Sequence, residues 1–366
     1  MPTRRELFVA GTLGVVGATA TLAADAPDAL SRRLTERFDR LHAGRALEGV
    51  HGVIIRERGR TLLERYMSGE DEAWGQPLGR VAFGPDTLHD MRSVTKSIVA
   101  VLYGIALSLG RVPPPEAPLL AQFPEYADLA TDPRRARWTI DHALTMTLGT
   151  EWNENVPYTS AANSELAMEH APDRLRFVLD RPLAAEPGTR WIYSGGATAL
   201  LGALTARGTG QDLTHFARTV LFDPLGIGAT EWARGLDGAP SAASGLRIRP
   251  RDLAAIGDML LAGGITGSTR IVAAKWITRC LTCAVAMPDR GCFGRQWYTG
   301  RTTVGGDGSA RPVDWHLANG NGGQRLVLLP ALQALLVMTA GNYNKPGQGR
   351  ASAAILREVL LPELNG

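Results

Sequence analysis

Lysine is the rarest charged residue in this sequence. Only three of the 39 basic residues are lysine (Lys96, Lys275 and Lys345), and the other 36 are arginine. An ammonium group can lose its proton when it is desolvated, whereas a guanidinium in practice cannot. A lysine in such an arginine-rich chain is therefore a candidate for proton transfer, and the surroundings of Lys96 make it the first to consider.

The chain also lacks a run of charge of one sign. Its net charge is only +3 over 366 residues, and the arginines are scattered without interleaved aromatic residues. This distribution gives no support to nucleic-acid binding, so we expect no nucleic-acid partner. The content of 45% apolar and 20% charged residues is that of an ordinary globular protein with ample material for a core.

Several catalytic and metal-binding signatures are missing. No G-x-S-x-G elbow is present, which disfavours an α/β-hydrolase, and no H-E-x-x-H, Walker A or G-x-G-x-x-G motif occurs. The three cysteines, Cys280, Cys283 and Cys292, have neither the spacing nor a fourth ligand for a metal site. In an oxidising compartment two of them could pair and leave one over. We therefore expect neither a metal nor a cofactor.

The N-terminus has no apolar run long enough to cross a bilayer, which takes about 20 residues. A twin arginine in TRRELF (residues 3–8) precedes a weakly apolar stretch that ends near Leu22 and is followed by several alanines. This order resembles a twin-arginine export signal, with an N-terminal anchor helix as the alternative. We predict a signal over residues 1–24. The mature chain would begin near Asp25, lack a stable membrane span, and be periplasmic or secreted.

Hydrophobic patterning predicts an α/β fold. Two short strands follow an amphipathic helix at residues 29–43, and three strands and a helix end the chain. Helices broken by Pro/Gly loops fill residues 111–235. We predict an antiparallel sheet built from both chain ends and flanked by helices, with an inserted all-helical lobe. The whole forms one domain over residues 27–366.

The segment DMRSVTKSIVAVLYG begins a strongly apolar helix predicted at 93–109 and contains Ser93 and Lys96. At i and i+3 they share a helix face, and Ser93 lies at the helix N-terminus, where free N–H groups favour negative charge. A serine nucleophile needs a base within reach, and a lysine serves only when neutral. We expect burial to lower the pKa of Lys96 from about 10.4 towards 7. Helix capping by Ser93 with an exposed Lys96 is the alternative.

Two further segments contain groups that could take part in catalysis. Tyr193, in WIYSGGATALLG, precedes a small-residue run that enters a helix. It could assist as a base, with its phenolate stabilised by an ammonium, or could be an ordinary packed aromatic residue. The segment ANGNGGQRLVLLP at 318–330 is a glycine-rich stretch that enters a strand. Its backbone N–H groups could approach a ligand as an oxyanion hole requires, or the segment could simply be a hairpin turn.

Taken in chain order, these three segments resemble the serine β-lactamase and penicillin-binding-protein superfamily, in its class C-like branch. That branch includes class C β-lactamases, D-alanyl-D-alanine carboxypeptidases, esterases and 6-aminohexanoate-dimer hydrolase. The resemblance runs from about residue 35 to the end of the chain. It implies that Ser93 is the acylated nucleophile, that Lys96 is its general base, and that Tyr193 is the tyrosine of the Y-x-N motif.

The resemblance also implies a role for the glycine-rich segment. Asn321, Gly322 and Gly323 stand where the family has its K-T-G strand motif. The backbone N–H groups of Ser93 and Gln324 would then form the oxyanion hole, with Asn321 and Gly323 beside the substrate.

Two departures from the family pattern bear on substrate choice. Gly195 stands where Y-x-N would supply an amide side chain, and the third motif has no lysine. Both argue against an efficient β-lactamase but leave acyl transfer intact. Trp152, in the loop after LGT, could line the pocket or be structural.

The resemblance therefore implies an exported serine hydrolase that cleaves ester or amide bonds of small molecules through an acyl-serine, with weak β-lactamase activity at most. A β-lactamase or D-Ala-D-Ala carboxypeptidase, and a non-catalytic binding protein on the same fold, stay as alternatives. The sequence does not specify the oligomeric state.

Overall fold

The computed structural model describes residues 28–364, apart from 288–290 and 305–310. The predicted export signal at 1–24 lies outside the described residues. The α-helices are α1 (Ala29–Ala43), α2 (Val94–Ser108), α3 (Ile140–Leu144), α4 (Ser164–Glu169), α5 (Arg174–Leu179), α6 (Gly195–Thr209), α7 (Leu213–Ala217), α8 (Pro250–Leu261), α9 (Ala274–Leu281) and α10 (Arg350–Ala354).

Most of the strands lie in two groups, one towards each end of the chain. They are β1 (Val50–Glu57), β2 (Arg60–Tyr66), β3 (Ser68–Ala73), β4 (Gln76–Ala82), β5 (His89–Asp90), β6 (Glu231–Trp232), β7 (Leu246–Ile248), β8 (Ile265–Thr266), β9 (Thr269–Arg270), β10 (Val285–Met287), β11 (Gly291–Phe293), β12 (Tyr298–Val304), β13 (Arg311–Gly320), β14 (Gln324–Leu329) and β15 (Ala334–Ala340). Short 3-10 and π-helical turns connect some of them, and a π-turn at Ile355–Leu360 continues α10.

The main sheet has eight antiparallel strands in the order β10-β11-β12-β13-β14-β15-β1-β2. Strand β1 pairs directly with β15, with Val53 opposite Met338 and Ile54 opposite Val337. Strands from the two ends of the chain therefore meet in one sheet, which confirms the sequence prediction. Strands β1 and β2 and the three late strands β13 to β15 lie where the hydrophobic patterns predicted them.

Both faces of the sheet are covered, and its side chains alternate between two cores as the two-residue period of a strand requires. Ile54 contributes to the core that contains α2, α6 and α8. Its neighbours Val53 and Ile55 contribute to a second core, in which Leu34 and Phe38 of α1 are buried. Burying each of these side chains stabilises the fold by roughly 1.5–3 kcal/mol.

Between residues 111 and 235 the described secondary structure is helical, apart from the two-residue strand β6. The helices α3, α5 and α7 pack around α6, which in turn packs on α2. This segment forms the inserted helical part of the fold that the sequence predicted. Within the described ranges, no helix combines the length and the apolar character that crossing a membrane requires.

Helix α2 is the central helix of the larger core. Every residue from Val94 to Ala106 is buried, as expected for a helix that is apolar on all sides. Gly104 allows Trp276 to pack directly on the helix, because a Cβ at this position would lie 1.9 Å from the indole ring. The first turn of α2 is thereby enclosed in the protein, and Lys96 is enclosed with it.

The sequence did not reveal the hairpin β3–β4 or the short strands β10 to β12. Near the latter, Cys283 and Cys292 form a disulfide between the segments of β10 and β11, and Cys280 is a buried free thiol. The cysteines therefore divide as expected, with two paired and one left over.

Candidate active site

Ser93 occupies the N-cap of α2, and its side chain contacts Lys96 one turn further along. The Lys96 Nζ atom lies 3.0 Å from Ser93 Oγ, and the two residues are 2% and 5% exposed. The backbone N–H groups of Val94, Thr95 and Lys96 donate to carbonyls of the preceding turn. The N–H of Ser93 has no such partner within the described ranges, so it is free to bind a ligand atom.

Three acceptors surround the ammonium of Lys96. Besides Ser93 Oγ, they are Glu165 Oε2 at 2.9 Å and the carbonyl oxygen of Ala243 at 3.0 Å. Burial alone would lower the pKa of Lys96, but Glu165 and other anionic groups outweigh burial and raise this pKa well above its ordinary value. Our expectation of a pKa near 7 is therefore wrong, because the sequence gave no sign of a carboxylate beside the lysine.

A second carboxyl group, Glu154, lies beside this pair. Its Oε2 atom is 3.9 Å from Lys96 Nζ, and its side chain is 2% exposed. It accepts hydrogen bonds from the backbone N–H of Gly195 at 2.6 Å, from Trp152 Nε1 at 2.5 Å and from the Tyr158 hydroxyl at 2.7 Å. The site thus combines one lysine with two buried carboxyl groups.

The two carboxyl groups differ in how readily they ionise. Burial and the nearby charge of Glu165 raise the pKa of Glu154 to about 7. Burial would also raise the pKa of Glu165, but Lys96 outweighs it and holds this pKa below its ordinary value. Glu165 is therefore the ionised partner of Lys96, whereas Glu154 exchanges its proton with solvent near neutral pH.

Replacing Glu154 by glutamine should therefore change how stability depends on pH. A carboxyl group whose pKa rises on folding binds more protons in the folded state, so the wild type should lose stability as pH increases from about 4.5 through 7. Glutamine cannot titrate. We expect the free energy of unfolding of Glu154→Gln, relative to wild type, to increase by roughly 2–3 kcal/mol between pH 5 and pH 8. Urea unfolding at both pH values measures this difference, and an unchanged difference contradicts the assignment.

Tyr193 lies on the other side of the serine. Its hydroxyl lies near Ser93, whose side chain acts to lower the Tyr193 pKa, and its ring centroid is 5.1 Å from Lys96 Nζ. Burial raises the pKa of Tyr193 to about 12, although Lys96 acts in the opposite direction. The hydroxyl is therefore protonated at rest and can donate or accept a hydrogen bond at Ser93 Oγ. The structure brings together Ser93, Lys96 and Tyr193, the three residues that the sequence singled out.

The absence of a side chain at Gly195 has a packing reason. A Cβ atom at this position would lie 2.4 Å from Glu165 Oε2, and one at Gly196 would lie 2.6 Å from the Trp152 ring. Glu165 and Trp152 therefore fill the space beside the first turn of α6. The place where the family motif would supply an amide is occupied here by a carboxylate from another helix.

The glycine-rich segment forms the hairpin turn between β13 and β14. Gly322 and Gly323 adopt φ values of +90° and +110°, which favour glycine. A Cβ atom at Gly320 would lie 2.5 Å from the carbonyl oxygen of Met91, so the hairpin packs closely against the chain that leads into Ser93. This close approach places the turn beside the nucleophile candidate.

Within this turn, the side chain of Gln324 is buried. It donates to the carbonyl oxygens of Asn321 and Ala340 and accepts from the backbone N–H of Ala340. The side chain of Asn321 bonds to Asn344 and Gln348. Gln324 therefore fixes the turn through its side chain, which leaves the oxyanion-hole role predicted from the sequence to its backbone N–H.

A cavity of about 450 Å³ opens onto the serine. Its lining includes Ser93, Glu154, Tyr158, Tyr193, Asn319, Asn321, Arg325, Asn344 and Lys345. Trp152 is not part of this lining; it packs edge-on against Phe177 and donates to Glu154. Sequence reasoning missed Glu165 and Arg325, because neither belongs to a recognisable motif.

One cluster in the described part of the chain could present metal ligands, namely His51, Asp71 and His89. The 2.9 Å separation of His51 Nδ1 and His89 Nε2 fits a hydrogen bond between neutral rings, and burial lowers the pKa of both to about 3. Arg247 already pairs with Asp71 at 3.3 Å. This cluster is accounted for by packing and hydrogen bonding.

Comparison with known families and structures identifies the family and the fold. A family model described as Beta-lactamase matches residues 34–360. The solved structure of EstCE1, a hydrolase with promiscuous acyltransferase activity, superimposes with a TM-score of 0.69 at 17% identity, covering 90% of this chain and 99% of the other. At this identity the likeness shows a common fold.

Two relatives are similar in sequence. Esterase EstB of Burkholderia gladioli is 30% identical over 205 residues, which cover 54% of this chain and 50% of the esterase. The 6-aminohexanoate-dimer hydrolase of Paenarthrobacter ureafaciens is 26% identical over 288 residues, covering 74% of this chain and 68% of that enzyme. The similarity thus spans about half the length of the first relative and two thirds of the second.

Proposed function

This chain belongs to the Beta-lactamase family, and from that premise we propose that it hydrolyses ester or amide bonds of small molecules through an acyl-Ser93 intermediate. The observation that carries the proposal is that Ser93 is hydrogen-bonded to Lys96 and lines the same cavity as Tyr193. The relatives to which the chain is similar include, by name, an esterase and a 6-aminohexanoate-dimer hydrolase.

The charge state of Lys96 determines how the serine is activated. A protonated lysine cannot accept the Ser93 proton unless it gives one up. We infer that the proton of Ser93 Oγ moves to Lys96 Nζ while Lys96 passes another proton to Glu165 Oε2, 2.9 Å away. As Oγ bonds to the substrate carbonyl carbon, an O–H bond on Ser93 is replaced by one on Glu165, and the lysine stays an ammonium.

The remaining groups complete the cycle. The free N–H of Ser93 and the N–H of Gln324 are the donors we assign to the oxyanion of the tetrahedral intermediate. Tyr193, whose hydroxyl lies near Ser93, donates its proton to the leaving oxygen or nitrogen and regains one from Lys96, and Glu165 returns its proton to the lysine. Water then attacks the acyl-enzyme by the same relay and releases Ser93.

The proposed function is tested by a substrate screen. We expect short-chain p-nitrophenyl esters to be hydrolysed with kcat/KM at least about 100-fold above that of a chromogenic cephalosporin. The reason is that Gly195 offers no amide to a β-lactam side chain and that the hairpin motif has no lysine. A cephalosporin turnover that exceeds the turnover of the best ester contradicts this prediction and favours the β-lactamase alternative.

We also propose that the chain is exported to the periplasm or secreted. The support is the twin arginine at residues 4–5 and the weakly apolar stretch behind it. Fractionation of cells that express the full chain, beside a variant in which both arginines are lysine, tests this proposal. Retention of the variant in the cytoplasm with export of the wild type is the expected result.

A further inference from the structure

Arg325 is the exception among the buried arginines. Four described arginines are at most 9% exposed, and three of them are paired with carboxylates. The paired ones are Arg92 with Glu72 and Asp90, Arg174 with Glu169 and Asp237, and Arg247 with Asp71 and Glu231. Arg325 is 7% exposed and has no carboxylate partner within the described ranges. A buried charge without a counter-ion is costly, so an unpaired arginine calls for a ligand.

The hydrogen bonds of Arg325 leave one edge of its guanidinium unused. Its Nη1 atom donates to the carbonyl oxygens of Gly320 at 2.8 Å and of Gln324 at 2.7 Å. These bonds hold the side chain against the hairpin turn. Within the described residues, neither Nε nor Nη2 donates to a protein acceptor. The Nε–Nη2 edge is the planar fork that binds a carboxylate through two parallel hydrogen bonds.

The position of Arg325 connects it to the catalytic cavity. It lines the 450 Å³ cavity that also contains Ser93. It lines as well a second, mainly apolar cavity of about 390 Å³, whose walls include Trp315, Leu317 and Val327. The guanidinium therefore lies between the space next to the nucleophile and an apolar compartment.

The other charges around the catalytic cavity do not neutralise Arg325. Lys345 lines the same cavity and adds a second positive charge. The acidic residue in the lining, Glu154, bonds to Tyr158, Trp152 and Gly195 and lies 3.9 Å from Lys96. Burial lowers the pKa of Arg325 to about 10, so the guanidinium is still charged at neutral pH. The wall that Arg325 forms is thus positively charged.

We propose that Arg325 binds a carboxylate carried by the substrate, so that the preferred substrates are esters or amides with a carboxylate a few bonds from the scissile carbonyl. This inference rests on the proposed function. Arg325 acts here in binding and orientation, and it takes no part in proton transfer. Carboxylate binding alone does not make a cephalosporin a good substrate, because Gly195 still offers no amide to its side chain.

The first test compares matched substrates with and without a carboxylate. One pair places the charge on the acyl side: the p-nitrophenyl monoester of glutaric acid against p-nitrophenyl pentanoate. The other places it on the leaving group: a ring-carboxylated nitrophenyl butyrate against p-nitrophenyl butyrate. With rates normalised to non-enzymatic hydrolysis, we expect kcat/KM of the wild type to favour the carboxylated ester about tenfold or more in one pair, mainly through KM. The pair that shows the preference identifies the side of the bond that faces Arg325.

Variants assign the preference to this residue. Arg325→Met should bring the ratio of carboxylated to neutral ester close to one, and Arg325→Lys should retain part of it, since it keeps the charge without the fork. Arg301→Met is the matched control, because Arg301 lies two strands away from Arg325 on β12, is exposed and pairs with Asp314. No preference in the wild type, or a preference that survives in Arg325→Met, overturns the proposal.

A binding measurement separates this inference from the proposed function. Calorimetry should show that the wild type and Arg301→Met bind glutarate at least about tenfold more tightly than uncharged glutaramide, whether or not any ester is hydrolysed. Arg325→Lys should bind glutarate more weakly than wild type, even if Arg325→Met does not fold. Failure of all esters with intact glutarate binding contradicts only the hydrolase assignment. Ester hydrolysis with equal binding of glutarate and glutaramide overturns only the role of Arg325.

Discussion

Replacing Ser93 by alanine is expected to lower kcat/KM on the best ester by about 10⁴-fold or more and to abolish covalent labelling by a fluorophosphonate. The expected loss is large because the acyl-enzyme cannot form without Oγ, and nucleophile removal in serine hydrolases costs on this scale. The fold should survive, since Lys96 keeps its contacts with Glu165 and the Ala243 carbonyl. Intact mass, peptide mapping and circular dichroism of the variant measure labelling and folding together.

The matched control for this variant is Ser97→Ala. Ser97 lies one turn further along α2, is equally buried, and donates to the Gln296 carbonyl at 2.6 Å. Its Oγ is committed to that bond, so its removal should leave the fluorophosphonate adduct in place. An adduct that persists on another serine in Ser93→Ala shows that the nucleophile is wrongly assigned.

The sequence predicted those helices and strands whose apolar residues recur at the helical or strand period and are buried on one face. Helix α1 is amphipathic and buries Leu34 and Phe38, and strand β1 alternates between two cores. The hairpin β3–β4 shows no such alternation, because strand β4 is almost entirely exposed. Nothing in its side chains distinguishes it from a polar loop.

In the site, too, residues close together in the sequence could be predicted, whereas partners distant in the sequence could not. Ser93 and Lys96 are three residues apart, so a helix alone brings them together. Glu165 lies 69 residues beyond Lys96 and reaches it only through packing of the helical segment against α2. Burial could be predicted from the apolar helix, but the direction in which the pKa of Lys96 shifts depends on that distant carboxylate. Arg325 is similar, because its lack of a partner is a property of the three-dimensional structure.

Replacing Lys96 by arginine is expected to lower kcat/KM on the best ester by at least about 100-fold, the usual worth of a positioned proton-transfer group. Arginine preserves the positive charge and can still donate to Glu165. Its proton, however, is held at a pKa above about 12, so it cannot pass a proton on while receiving one from Ser93. The relay that we propose needs both events at one nitrogen. The variant should therefore keep the positive charge beside Glu165 but lose the proton transfer that catalysis needs.

The comparison that decides this point uses two other lysine variants. Lys275→Arg, on an exposed position of α9, should leave activity unchanged and shows what the substitution costs away from the site. Lys96→Ala removes both charge and proton transfer and leaves Glu165 as a buried carboxylate without its partner, so its melting temperature should drop further than that of Lys96→Arg. If Lys96→Arg is as inactive as Lys96→Ala but more stable, charge and proton transfer are separated, and proton transfer is what catalysis requires. If Lys96→Arg retains more than about a tenth of wild-type kcat/KM, the lysine acts only through its charge, because a lost proton acceptor should cost at least about 10²-fold.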